Sequence, residues 1–262
     1  MSQDAEATEM TTNEMKTLEM NAKDIKGAED NKSHIKTNTT HIKPAIPSQD
    51  QPNHSQSRNS NLPTIAAKVA IVDYGAGNVK SVTFACEQLG KTPFLTSDER
   101  QLRDADFVIF PGVGHARSAM QALRNKGLDQ VIPTLEQPVL GICLGMQLMC
   151  THSEEGDTPG LGIFDAVVKR FQVPSSLKVP HMGWNDLLGG KGLLQGIDQP
   201  VYFVHSYFAS ICEDTIAKST YGVQYSAALG RDNFVGCQFH PEKSGVAGSI
   251  LLQRFFEGFE GF

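Results

Sequence analysis

Two pieces of this 262-residue chain carry residue types that can act together as a catalyst: Gly141-Ile-Cys-Leu-Gly145 and, about a hundred residues later, His240-Pro-Glu242. The first follows the apolar run Val139 to Ile142, so Cys143 falls where a buried strand would turn into a helix over Leu144 to Cys150. That is the arrangement of a nucleophile elbow, with sulfur in place of oxygen and glycines allowing close approach on either side. At a helix N-terminus the unpaired N–H groups and the positive dipole end favour the thiolate, the form that attacks. A base is then required. His240 ends the apolar run Phe234 to Phe239, and Glu242 faces the same side as His240 if the backbone there is extended. Pro241 fixes φ between them. The carboxylate would hold the imidazole in the required tautomer and stabilise its cation. A cysteine or a histidine alone is ordinary core; the joint pattern is what points to nucleophilic catalysis.

The elements around these pieces alternate. Lys68 to Asp73 reads as a β-branched buried strand, and a helical pattern then runs through Leu89 to Gly90. Thr92 to Leu95 and Phe107 to Phe110 read as further strands, with Ala116 to Leu123 and Leu128 to Leu135 as helices. Apolar strands alternating with helices predict an α/β fold: a doubly wound, mainly parallel sheet with helices on both faces and its site at the carboxyl ends of the strands. Beyond Thr151 to Glu155, read as a surface loop, the half nearer the C-terminus is strand-rich: Gly162 to Phe171, Lys178 to Val179, Val201 to Val204, Gly222 to Gln224 and Phe234 to Phe239. A last helix over Gly245 to Phe256 presents Val246, Ile250, Leu251 and Phe255.

Residues 1–67 contain no Phe, Tyr, Trp, Val or Cys and are crowded with polar residues, which predicts a disordered extension ahead of one domain over 68–262. A net charge of −6 argues against nucleic-acid partners. No apolar run approaches the roughly 18 residues of a membrane span, and no secretory pattern opens the chain, so a cytoplasmic location is expected. Five cysteines without metal-type spacing predict reduced thiols and no metal; Cys86, Cys150, Cys212 and Cys237 read as core. Gly75-Ala-Gly77 after the first strand, with Asp98 beyond it, opens a dinucleotide fingerprint, but Ser81 stands where the third glycine is required. No cofactor is expected.

The elbow together with Phe239-His-Pro-Glu-Lys-Ser-Gly245 resembles the class I, triad-type glutamine amidotransferases, flavodoxin-like enzymes in which cysteine attacks the side-chain amide of glutamine and releases ammonia. Asp73-Tyr-Gly-Ala-Gly-Asn78, Pro111-Gly-Val-Gly114, Pro180-His-Met-Gly-Trp-Asn185 and Val204-His-Ser-Tyr-Phe208 are similar to the glutaminase subunits of imidazole glycerol phosphate synthase. The resemblance spans Lys68 to Phe262. It implies Cys143 as nucleophile, His240 as general base and then acid, and Glu242 as its orienter. The Leu144 and Val113 N–H groups become the oxyanion donors. Gly114, Gln147 and the Ser206, Tyr207 and Phe208 backbone become the glutamine site; by spacing alone, Gln147 would be a solvent-facing helix residue. Tyr74, Gly77, Asn78, Trp184 and Lys243 are implied to face a cyclase subunit, forming a heterodimer that makes imidazole glycerol phosphate and an aminoimidazole carboxamide ribotide in histidine biosynthesis. Two other readings stay open: a glutaminase of a sister pathway such as pyridoxal phosphate synthesis, and a regulatory subunit that binds glutamine without turnover.

Overall fold

The computed structural model describes residues 67–258, so the expected extension, apart from its last residue, lies outside the described residues. The chain opens with β1 (Val69–Val72), α1 (Val79–Gln88), β2 (Pro93–Thr96), α2 (Glu99–Arg103) and β3 (Phe107–Gly112). Next come α3 (Ala116–Asn125), α4 (Leu128–Val131), β4 (Val139–Cys143) and α5 (Leu144–Met149). The strand-rich half holds β5 (Cys150–Ser153), β6 (Thr158–Pro159), β7 (Phe164–Arg170), β8 (His181–Asn185), β9 (Val201–His205), β10 (Tyr207–Ala209), β11 (Thr215–Tyr221), β12 (Val223–Arg231) and β13 (Phe234–Cys237). Helix α6 (Gly245–Glu257) follows.

Eleven strands form one sheet in the order β2-β1-β3-β4-β13-β12-β10-β7-β5-β6, with β11 against β12; β8 and β9 pair separately. From β2 to β13 the neighbours are parallel, which brings the carboxyl ends of β3, β4 and β13 side by side. Alternation along each strand builds two cores. Val69, Ile71, Ile109 and Leu140 pack under α1 and α6, whereas Ala70, Val72, Val108 and Val139 pack under α2 to α5. Helices therefore cover both faces of the parallel half, as the alternating pattern predicts.

Several boundaries differ from the sequence reading. Thr151 to Ser153 belongs to β5, paired with β6 and β7, because the chain leaves α5 directly into an extended segment; Thr151 Oγ1 donates to Ala166 O at 2.8 Å. Lys178 and Val179 form no strand, since Pro174 and Pro180 bracket them and Leu177 N closes a turn onto Pro174 O. The paired residues start at His181 instead. The short strand expected at Gly222 to Gln224 is the turn and start of a long hairpin: Gly222, with φ +69°, links β11 to β12. Val246 is 67% exposed, and the face that α6 buries runs through Ala247, Leu251, Leu252, Phe255 and Phe256. Cys86, Cys150 and Cys237 are buried, but Cys212 is only half-buried. Asp98 caps α2, its Oδ1 accepting from Gln101 N at 3.0 Å, and so has a structural task where the dinucleotide fingerprint asks for a ribose contact.

Backbone packing is very close beneath the elbow. A Cβ at Gly145 would come within 1.9 Å of the Phe110 carbonyl oxygen, a backbone atom with nowhere to go. Gly145→Ala is expected to destabilise the fold by about 2 kcal/mol or more through overpacking, measured as a lower denaturation midpoint with unchanged slope.

Candidate active site

Cys143 ends β4 with φ 54° and ψ −110°, a backbone conformation that residues with a Cβ rarely adopt. Strain of this kind costs about 1–3 kcal/mol and persists only where the surroundings over-determine it. Here the register Gly112↔Cys143 and the contact of Gly145 with Phe110 clamp both sides of the turn. The turn lifts the thiol above the sheet at the N-terminus of α5, whose first N–H groups, Leu144 among them, have no intrahelical acceptor.

On the neighbouring strand β13, the chain runs through Gln238 and Phe239 to His240. Pro241–Lys243 is a 3₁₀ turn, not extended backbone, because proline is preorganised for a first helical position. The turn still delivers Glu242 to the imidazole. His240 Nδ1 donates to Glu242 Oε1 at 2.7 Å, and the two side chains are only 4% and 1% exposed. Ser244 Oγ donates to His240 O at 2.6 Å and accepts from Tyr202 N, while His240 N donates to Tyr202 O, so backbone bonds hold the base in place. His240 Nε2 and Glu242 Oε2 are buried with no hydrogen-bond partner among the described residues. Burial pulls the imidazole down, but the Cys143 sulfur beside the ring and the hydrogen-bonded Glu242 carboxylate outweigh it and raise the ring to about 10. The ring is therefore cationic at neutral pH. By contrast, burial pushes the thiols of Cys86, Cys150 and Cys237 upward, which keeps them inert.

The other expected residues divide. Val113 is 42% exposed and, with exposed Gly114, forms the loop after β3 next to the elbow. Gln147 is buried, not solvent-facing: its Nε2 donates to Tyr207 O and to Gln238 Oε1, both at 2.8 Å. Ser206 and Tyr207 run past the same point, with Tyr207 O also accepting from His205 Nδ1. Trp184 is 57% exposed, edge-on to Tyr202, over whose ring lies the ammonium of exposed Lys243. Gly77 and Asn78 are half-buried.

Tyr74 contradicts its expected place on the partner-facing surface. Its ring is 2% exposed against Phe110, and its hydroxyl donates to Pro111 O at 2.9 Å, so it steadies the Pro111 to Gly114 loop from within. Sequence reasoning also missed Gln238, Ser244 and the buried pair His181 and His205, linked Nδ1 to Nε2 at 3.2 Å. For Gln238 and His205, a polar residue in or ending an otherwise apolar strand run was the available signal. Among the described residues, no group of three or more His, Cys, Asp or Glu could hold a metal ion, and no helix is long and apolar enough to cross a membrane.

A strained cysteine elbow at the end of a parallel strand, beside a histidine–glutamate pair in the turn after the next strand, is the site of a thiol-dependent amide hydrolase. The family described as glutamine amidotransferase class-I matches residues 70–258, and the chain belongs to it. Within that class it is 52% identical over 194 residues to imidazole glycerol phosphate synthase subunit HisH of Bacteroides fragilis (strain YCH46), covering 72% of this chain and 99% of that protein. The subunit of the same name from Pectobacterium atrosepticum is 48% identical over 195 residues, with the same two coverages. Among solved structures, a glutamine amidotransferase superposes with a TM-score of 0.56 at 18% identity, over 72% of this chain and 97% of that one. PurLQS from Thermotoga maritima gives 0.55 at 18%, over 74% and 99%. These two likenesses concern the fold.

Replacing Glu242 by glutamine removes the carboxylate that, together with Cys143, holds the imidazole cationic. By NMR, the His240 midpoint is expected to fall from about 10 toward its ordinary 6.5. A raised folded value means that the pair stabilises the fold fully below pH 6.5 and loses that contribution as pH rises through about 10. Stability should therefore fall less between these limits in Glu242→Gln than in the parent.

Proposed function

We propose that this chain hydrolyses L-glutamine to L-glutamate and ammonia and delivers the ammonia to a cyclase subunit, which forms imidazole glycerol phosphate and aminoimidazole carboxamide ribotide in histidine biosynthesis. The observation that carries the chemistry is the 2.7 Å His240–Glu242 pair, whose remaining ring nitrogen is buried and unengaged beside the Cys143 elbow. The relatives named for the HisH subunit at about half identity support the pathway and the partner.

Cys143 Sγ attacks the side-chain amide carbon of glutamine, and a carbon–sulfur bond forms as the carbonyl π electrons move to oxygen. The Leu144 N–H at the elbow and the Val113 N–H of the neighbouring loop receive that oxyanion; one such donor is typically worth about 10² to 10³ in rate. The His240 cation donates its Nε2 proton to the departing nitrogen. Ammonia leaves and a thioester remains. The now neutral imidazole takes a proton from water, whose oxygen attacks the thioester carbon; the carbon–sulfur bond breaks, and glutamate departs, leaving the Cys143 sulfur anion and the His240 cation as at the start. Glu242 stays ionised throughout and holds the ring. Gly114, Gln147 and the Ser206 to Phe208 backbone hold the substrate.

Ammonia in water is mostly protonated at neutral pH and readily lost, so a docked acceptor is a chemical need. Gly77, Asn78, Trp184 and Lys243 form the docking face in this reading, without Tyr74. The domain over residues 68–262 acts in the cytoplasm as half of a heterodimer.

Cys143→Ala is expected to abolish glutamine-dependent synthesis by the complex while sparing ammonia-dependent synthesis. Loss of both would mean that the cysteine is structural. Glutamate release should be slow for the chain alone and rise when the cyclase holds its ligand; equal rates overturn the coupling.

A further inference from the structure

Gln238 has no part in the triad, yet it is fully buried between the nucleophile and the expected substrate helix. Its Nε2 donates to Cys143 Sγ at 3.7 Å, and its Oε1 accepts from Gln147 Nε2 at 2.8 Å. The directions of these bonds are fixed at Tyr207 O, a backbone carbonyl that can only accept. Burial lowers His181 to about 4 and His205 to about 3, so both rings are neutral near pH 7, and each has one donor and one acceptor. Tyr207 O can only accept, so His205 Nδ1 carries the proton and its Nε2 must accept from His181 Nδ1. Tyr207 O accepts a second time from Gln147 Nε2, whose other hydrogen goes to Gln238 Oε1. An amide whose oxygen is so engaged cannot flip without breaking the network, and its N–H₂ is left aimed at sulfur. Cys143 Sγ lies 3.9 Å from Val204 O, an acceptor with nothing to offer a thiolate.

We propose that Gln238 is a positioning residue for the nucleophile: its amide N–H fixes the Cys143 side chain and stabilises the sulfur anion, in an orientation set through Gln147 by the Tyr207 carbonyl, which the buried His205 also engages. This rests on the reading of Cys143 as the nucleophile. A hydrogen bond to a charged acceptor is stronger than the same bond to a neutral one, so the contact favours S⁻ over S–H. The other titratable groups facing Cys143 are His240 with Glu242 from the turn after β13, Tyr74 from the loop after β1, and Cys237 on β13. All of them remain when Gln238 is replaced. The same residue joins the nucleophile to Gln147, so one amide ties sulfur and substrate site into a single rigid unit.

The test uses the full chain and two variants. Gln238→Met keeps the volume and removes both donor and acceptor; Gln238→Glu keeps an acceptor for Gln147 and removes the amide donor. Iodoacetamide labelling of the Cys143 peptide is followed by mass spectrometry across pH. Labelling of Gln238→Met is expected to shift to higher pH by about one unit, which is about tenfold slower at a fixed pH on the rising limb. With the cyclase present, kcat for glutamine should fall by about the same factor. Gln238→Glu should return KM toward the parent value without recovering kcat. A folded Gln238→Met with the parent labelling profile overturns the proposal. So does failure of both variants to fold, which would assign the residue to the core alone. If Cys143→Ala leaves glutaminase activity intact, it is the nucleophile reading that fails.

Discussion

Everything at the site depends on one backbone conformation, the left-handed turn at Cys143. It is tolerated because β3 and α5 meet with no side chain between them: a Cβ at Gly145 would come within 1.9 Å of the Phe110 carbonyl oxygen, and one at Gly112 within 2.5 Å of Gly145 N. The strain at the cysteine and the tight contact below it are two sides of one arrangement. Relaxing the turn would drop the thiol back along β4 into the sheet. The helix N-terminus, the loop after β3 and the base would then have no reacting atom to serve.

The base is secured differently. His240 sits beyond the end of β13, where the sheet no longer dictates its backbone, and its peptide is tied to Tyr202 on the separate β8–β9 pair. That pair also carries exposed Trp184. Nucleophile and base are thus anchored to different bodies of secondary structure, one to the parallel sheet and one to a hairpin beside it. A buried cationic imidazole is tolerated because Glu242, held by the same short turn, neutralises it at close range.

Much of this could be read from residue types. The elbow, the histidine–glutamate pair and the alternation of strands and helices are local patterns, and local patterns survive in sequence. Glu242 reaches His240 through a 3₁₀ turn although an extended backbone was the expectation; the pairing was legible while its geometry was not. What stayed hidden depends on contacts between distant segments. Tyr74 stands in a glycine-rich loop and looks like surface, and only the fold reveals Pro111 O waiting for its hydroxyl. Val246 fits the helical period, yet the face of α6 is chosen by what lies beneath it. Gln147 and Gln238 lie 91 positions apart and make sense only as a pair.

The place of β13 has a consequence for how the protein comes into being. Although late in the chain, it is inserted near the middle of the sheet, between β4 and β12. Until it arrives, β4 presents an open edge beside the elbow and the cysteine has neither base nor orienter. Edges of that kind recruit other strands, and long-range parallel pairing is slow to form. During synthesis the thiol is therefore made early and armed last, so the hydrolytic site completes itself only as the fold closes.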